Sequence, residues 1–225
     1  WGGCSLPKKV QFPLVRPMKR LWWLGWLWLM WGLGVAFADA PSGVVYYIQF
    51  KEIVHRASAD YLIRALQEAS ARNAAAFVVL LDTPGGELQA TRDIASALLN
   101  SPIPTAVFVY PSGARAGSAG VFITISAHVA AMAPGTNIGA ATPVSGSGED
   151  IGEDMRKKVV NDTVAFAKTI ARQRGRNEEW VVKAVTEAAS IPETDALKLK
   201  VIDLIATTPA DLLNKMNGRK ITLAN

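Results

Sequence analysis

Three near-continuous apolar runs of strand length dominate the sequence: Ala76-Phe77-Val78-Val79-Leu80-Leu81, Thr105-Ala106-Val107-Phe108-Val109-Tyr110 and Val129-Ala130-Ala131-Met132-Ala133. None alternates between apolar and polar residues. A strand that is apolar on both faces must be covered on both faces, which is the usual state of a parallel sheet. The intervening segments carry a helical period instead. Leu62, Ile63, Leu66 and Ala69 recur over 60–72, and Ile94, Ala97 and Leu98 over 88–100. Strand–helix alternation of this kind predicts a layered α/β fold built on a parallel sheet. Val44–Ile48 supplies an opening strand and Val201–Ile205 a late one. Helices are expected at about 153–173, 177–187, 193–198 and 209–215, with Ser58 or Asp60 capping the first helix. Residues 134–150 read as a loop rich in Gly, Pro, Ser and Thr.

The first 40 residues have a different character. The first methionine is Met18, which predicts that residues 1–17 are an upstream reading. Lys19 and Arg20 then precede an apolar run from Leu21 to Ala38, and Ala38-Asp39-Ala40 follows. Basic, apolar, then small-x-small is the order of a signal peptide, with Pro41 as the expected mature start. The run is also just long enough to span a bilayer as an uncleaved anchor. Either reading sends residues 41–225, the expected folded domain, across the cytoplasmic membrane to its outer side.

The formal charge of +5 belongs to this front end. Residues 1–40 hold five basic residues and one acidic one, which leaves 19 basic against 18 acidic residues in the remainder. A nearly neutral body excludes the basic footprint of a nucleic-acid binder. The one cysteine, Cys4, also lies in the upstream stretch. Residues 41–225 therefore have no thiol nucleophile, disulfide or cysteine-ligated metal.

Ligands of open α/β sheets gather beyond the carboxyl ends of the strands. Two such ends are unusual here. Asp82-Thr83-Pro84-Gly85-Gly86 follows the first apolar run, and adjacent glycines let backbone N–H groups face a ligand. Gly113-Ala114-Arg115-Ala116-Gly117-Ser118-Ala119-Gly120 follows the second and opens a helix near Ala116. A serine on a strand-to-helix corner exposes its hydroxyl, and the amide of the next residue can face a developing oxyanion. Each corner alone also reads as ordinary structure, a turn or a tightly packed helix start.

A serine nucleophile needs a base. His128 ends the helix that Ser118 begins, about 15 Å away by helical rise, and His55 lies early in the chain. Both histidines read as structural or solvent-facing, which argues against a Ser-His-Asp triad. Lysine is the alternative, and it serves only where burial favours its neutral form. Lys157 and Lys158 open the long helix after the loop. Spacing alone leaves open which of them faces inward.

Leu81-Asp82-Thr83-Pro84-Gly85-Gly86, Tyr110-Pro111, Gly113-Ala114, Ser118-Ala119-Gly120 and Met132-Ala133-Pro134-Gly135-Thr136-Asn137-Ile138-Gly139-Ala140, in that order, resemble the NfeD-like membrane serine proteases, a ClpP-class family associated with stomatin-like proteins. The resemblance spans about Val44 to Leu213. It implies a ClpP/crotonase-like α/β fold and endoproteolysis by a Ser-Lys dyad, with no cofactor and no metal. It implies Ser118 as nucleophile and Lys158, counted back from Gly175-Arg176-Asn177, as base. The oxyanion donors it implies are the amides of Ala119 and of the Pro-Gly-Gly corner, Gly86 ahead of Gly85. Where the wider ClpP group has a triad histidine, this chain reads Gly139-Ala140-Ala141-Thr142-Pro143. The implied substrate is an apolar segment of a stomatin-like membrane protein, and a homodimer or higher oligomer is expected. Val121, Phe122 and Ile125 are candidates for the pocket lining, and 143–152 for a lid. A crotonase-type acyl-CoA enzyme and a non-catalytic partner of stomatin-like proteins would share this fold.

Overall fold

The computed structural model describes residues 9–10, 43–144 and 152–223. The expected signal or anchor segment, Cys4 and most of the expected lid lie outside the described residues. A six-stranded sheet forms the centre, in the order β1 (Lys9–Val10), β2 (Val45–Phe50), β3 (Ala76–Leu81), β4 (Thr105–Val109), β6 (Val129–Met132) and β9 (Leu204–Ile205). From β2 to β9 every pairing is parallel, and β1 alone runs antiparallel. All residues of β3, β4 and β6 are buried, as their uninterrupted apolar composition requires.

The two faces of the sheet are covered differently. Phe77, Val79 and Leu81 point into a large core with α1 (Arg56–Ala71), α2 (Leu88–Leu99), α3 (Ala119–Ser126), α4 (Glu153–Gln173) and α5 (Glu178–Thr186). Val78 and Leu80 point the other way, into a smaller cluster closed by α7 (Pro209–Met216) through Leu212. The remaining helix, α6 (Glu193–Lys198), packs between the Ser190–Pro192 strand, β8, and β9.

A second, three-stranded sheet was not expected from the sequence. It joins β5 (Arg115–Gly117), β7 (Asn137–Gly139) and β8 (Ser190–Pro192) in the order β5-β7-β8. Strands of three residues give no readable period, so Asn137–Gly139 read as loop and Arg115–Gly117 as the start of a helix. That helix starts three residues later, at Ala119. The late strand shrinks to Leu204–Ile205. The first helix begins at Arg56, earlier than expected, because its cap is His55, whose Nδ1 accepts from Ser58 N–H at 3.3 Å.

The Gly175-Arg176-Asn177 string is an anchor of the fold. Arg176 is 6% exposed. Its guanidinium donates to Ile125 O at the end of α3, at 2.8 Å, and to Asp203 Oδ2 at 2.7 Å. Asp203 Oδ2 also accepts from Ala130 N–H at 2.7 Å. Asn177 caps α5 by accepting from Trp180 N–H at 2.8 Å. Arg174 donates to Ser126 O, Leu98 O and Leu99 O, tying the C-terminal ends of α2, α3 and α4 together. This end of the molecule is therefore fixed, and α4 projects from it toward the opposite end.

His128 sits in the same layer. Its Nδ1 accepts from Thr105 N–H at 3.2 Å. Burial first, then the positive charges of Arg174 and Arg176, lower its pKa to about 4. In the unfolded chain the ring protonates near pH 6.5. The unfolded state thus holds more protons between those values, and stability is lost as pH falls from 6.5 through 4. Thermal melts across that range should show a decline that His128→Gln reduces. Arg176→Ala leaves Asp203 and Ile125 O without their partner. It should cost about 3–5 kcal/mol in denaturant unfolding.

Candidate active site

Ser118 occupies the N-cap of α3 with φ +47° and ψ −106°. Positive φ is uncommon for a residue with a Cβ and is retained only where the surroundings enforce it. The enforcing contacts are on both sides of the residue. Ser118 N–H donates to Gly139 O at 3.0 Å, and Ser118 O accepts from Val121 N–H at 3.0 Å. The first bond exists because β5 and β7 pair with Gly117 opposite Gly139. An N-cap serine ordinarily turns its hydroxyl onto the amides of the first helical turn. Ser118 does not cap in this way, and its Oγ has no hydrogen-bond partner among the described residues. Both the hydroxyl and the amide of Ala119 are left available. The Ala119 N–H likewise has no acceptor among the described residues.

The Pro-Gly-Gly corner lies directly against this serine. Thr83, fully buried, donates through Oγ1 to Glu52 O at 2.6 Å and accepts from Gly85 N–H at 3.2 Å. Its backbone bridges to β5 through Thr83 N–H to Arg115 O at 2.9 Å and Gly117 N–H to Thr83 O at 3.0 Å. The corner and the serine loop are thus locked together by backbone. Gly85 has φ +122°, and a Cβ there would lie 2.6 Å from Ser118 Cβ. Only glycine permits this approach.

Gly86 pairs with Val54 along one edge: Val54 N–H donates to Gly85 O and Glu87 N–H to Val54 O, each at 2.8 Å. A Cβ on Gly86 would meet Val54 O at 1.9 Å. Of the two glycine amides, Gly85 N–H is committed to Thr83, while Gly86 N–H has no acceptor among the described residues. The amides of Gly86 and Ala119, one on each side of the Ser118 corner, are therefore both without an acceptor among the described residues.

A cleft of about 680 Å³ opens here, lined by Ser118, Gly86, Ala119, Phe122, Thr142 and Thr163 among others. Phe122 belongs to its wall, as expected. Val121 and Ile125 do not; both are buried in the core behind it. His55 also borders the cleft, with its Nδ1 engaged as the cap of α1. His128 lies on the far side of α3, bound to Thr105.

The lysine pair sits on α4. Lys157 is paired with Glu153 at 2.8 Å. Lys158 makes no ion pair among the described residues; it is exposed and is not part of the cleft wall. The expectation of a lysine held in a dry pocket is not met in this arrangement. The physical reason is the helix phase, because the α4 residue buried in the cleft wall is Thr163. Lys158 instead shares a stripe with Asp162 and Phe166 at four-residue spacing. Asp162 pairs with Arg92 of α2. Phe166 stacks on Phe122 with centroids 5.6 Å apart, and Arg92 lies 4.3 Å from the Phe166 centroid. α4 meets α2 through this Arg92–Asp162 pair and at the tied C-terminal ends. Lys158 stands on this stripe one turn before Asp162.

Among the described residues, no cluster of His, Cys, Asp or Glu could hold a metal ion, and no helix is long and apolar enough to cross a membrane. The sequence singles out Ser118 and the glycine corner as candidates but gives no sign that Thr83 and Gly139 hold them. Both act through the short strands. Gly85→Ala should push Ser118 out of place. Its expected cost is about 1–3 kcal/mol, from positive φ and overpacking together, and chemical denaturation would measure it.

Residues 44–217 match the family model described as NfeD1b, N-terminal domain. The chain is 37% identical over 182 residues to the membrane-bound protease PH1510 of Pyrococcus horikoshii, covering 80% of this chain and 41% of that protein. It is 37% identical over 117 residues to the membrane protein NfeD1b of Bacillus subtilis, covering 52% of this chain and 26% of that protein. The chain thus spans less than half the length of these curated relatives. Among solved structures it resembles the 1510-N membrane-bound stomatin-specific protease. A lysine-to-alanine mutant in complex with a substrate peptide is 35% identical, with a TM-score of 0.74 over 80% of this chain and 84% of that one. ClpP1 from Listeria monocytogenes, at 14% identity and a TM-score of 0.60 over 74% of this chain and 94% of that one, shares the fold. The helix-flanked parallel sheet is thus ClpP-like, and the chain belongs to the NfeD1b N-terminal domain family.

Proposed function

We propose that this chain is a serine endopeptidase in which Ser118 is the nucleophile and Lys158 the base. The observation that carries the reading is the uncapped Ser118 hydroxyl at a strained corner, with the unpaired amides of Gly86 and Ala119 in the same cleft. Neutral Lys158 Nζ takes the hydroxyl proton as Ser118 Oγ attacks a peptide carbonyl carbon. The carbonyl oxygen becomes an oxyanion held by the two amides, each worth about 3 kcal/mol to the transition state. The lysine then delivers its proton to the leaving amine, and water hydrolyses the acyl-serine by the same route in reverse. The base must reach Ser118 from its exposed place on α4, so substrate binding and movement of the α4 N-terminal turns are coupled.

Two observations favour Lys158 over Lys157. Lys157 is engaged with Glu153. In the 1510-N relative, the lysine replaced by alanine in one solved structure and the serine replaced in another lie one residue further apart than Ser118 and Lys158.

The substrate class follows from the cleft. Ile53 and Val144 line its mouth while 60% and 85% exposed, which suits an apolar polypeptide. A substrate strand would lie along the free edge of Gly86. The 1510-N relative is named as specific for a stomatin homolog, and a stomatin-like membrane protein is the substrate proposed here. The domain would act on the outer side of the cytoplasmic membrane, exported or anchored by residues 21–38, as a homodimer or larger assembly. The reaction requires no cofactor.

Ser118→Ala and Lys158→Ala should each lower kcat at least about 10³-fold on an internally quenched peptide with a Val/Leu/Ile core. Lys157→Ala should not. Retained cleavage by either of the first two purified variants would refute the dyad.

A further inference from the structure

Thr142 presents an unexplained group in the wall of this cleft. Its Oγ1 is buried and has no hydrogen-bond partner among the described residues. A buried hydroxyl without a partner costs about 1–3 kcal/mol, and such a group calls for an explanation. The other threonine hydroxyls of the wall are spoken for. Thr91 Oγ1 donates to Glu87 O and Thr163 Oγ1 to Val159 O, each at 2.7 Å. Ser118 and Thr142 are the two hydroxyls of the cleft left without partners among the described residues.

The backbone around Thr142 is pinned to the catalytic corner. Gly139, three residues earlier, accepts the Ser118 amide, and Ala140 and Ala141 N–H donate to Ala189 O and Ala184 O at 2.9 and 2.8 Å. Thr142 is therefore held in fixed relation to Ser118, whereas Lys158 arrives on a separate helix.

A lysine base presents a matching need. After taking the Ser118 proton it is an ammonium with three N–H donors. One returns toward the serine oxygen; the rest need acceptors once water is excluded. We propose that Thr142 is the positioning residue of this site, accepting a hydrogen bond at Oγ1 from Lys158 Nζ when α4 brings the lysine into the cleft. This rests on the Ser118–Lys158 reading above. The bond fixes the direction of the lysine amine and favours its charged form.

Thr142→Val tests this in the full chain with the same quenched peptide, alongside Thr142→Ser and Lys158→Ala. Valine keeps the shape and removes a hydroxyl that has no partner, so the melting temperature should hold or rise. Even so, kcat should fall about 10- to 100-fold, the worth of one hydrogen bond to a charged group. KM should change little, and the acid limb of the kcat/KM pH profile should move to lower pH. His55 and Glu87, the other titratable groups of the cleft, are untouched. Thr142→Ser should retain both the rate and the limb. Wild-type kcat in the valine variant, an effect confined to KM, or a loss of rate that tracks a loss of melting temperature would each overturn the assignment. If Lys158→Ala still cleaves, the dyad falls and this inference with it. If Lys158→Ala is dead and Thr142→Val is fully active, this inference alone falls.

Discussion

The hydrogen bond from Ser118 N–H to Gly139 O decides what this site can do. Without it, the amide side of Ser118 would lose its restraint, and an N-cap serine ordinarily turns its hydroxyl onto the helix amides. A capping serine is spent twice over, since its oxygen is engaged and the amides it covers are no longer free. By fixing the backbone in the uncommon region, the small β5-β7-β8 sheet releases the hydroxyl and the Ala119 amide together. The same sheet locks the Pro-Gly-Gly corner through the Thr83–Ala116 bridge, so the second free amide, that of Gly86, is set against the first by backbone alone.

This construction places the rigid half of the site on elements with no conformational freedom. Thr83 and Gly139 are both engaged by backbone, and the glycines at 85 and 86 stand where any Cβ would collide. Preorganised donors of this kind act without reorganisation when charge develops on a substrate oxygen. The cost of the strain is borne by the core behind the corner, where Phe122, Val121 and Ile125 are buried and Arg176 ties down the end of α3.

How much of this the sequence discloses follows the length of each element. Runs such as Ala76–Leu81 and Thr105–Val109 are legible because burial on both faces leaves no polar residue in them. The glycine corner and the small residues around Ser118 are legible as composition. The three-residue strands are not, because three residues carry no period and their pairing depends on contacts 22 residues apart, as between Arg115 and Asn137. The register that gives Ser118 its conformation was therefore invisible, although the serine was not. His55 escaped as the cap of α1 because histidine is outside the usual capping set. Gly175-Arg176-Asn177, first useful as a landmark for counting to Lys158, acquires its own meaning only when Arg176 is seen between Ile125 O and Asp203.

The exposed position of Lys158 fits this division of labour. A base buried permanently beside Ser118 would need a standing set of acceptors whenever it was charged, and the cleft wall offers few: its threonines at 91 and 163 are turned onto their own helices. Under the proposed dyad, keeping the ammonium in water until an apolar substrate excludes solvent would avoid that desolvation cost. The Arg92–Asp162 pair and the Phe122–Phe166 stack hold α4 against α2 and α3 one and two turns beyond Lys158. Both contacts lie C-terminal to Lys158 on α4. The proposed activity would then be gated by the substrate itself, because the chain that fills the cleft would also provide the dry surroundings that a lysine base requires.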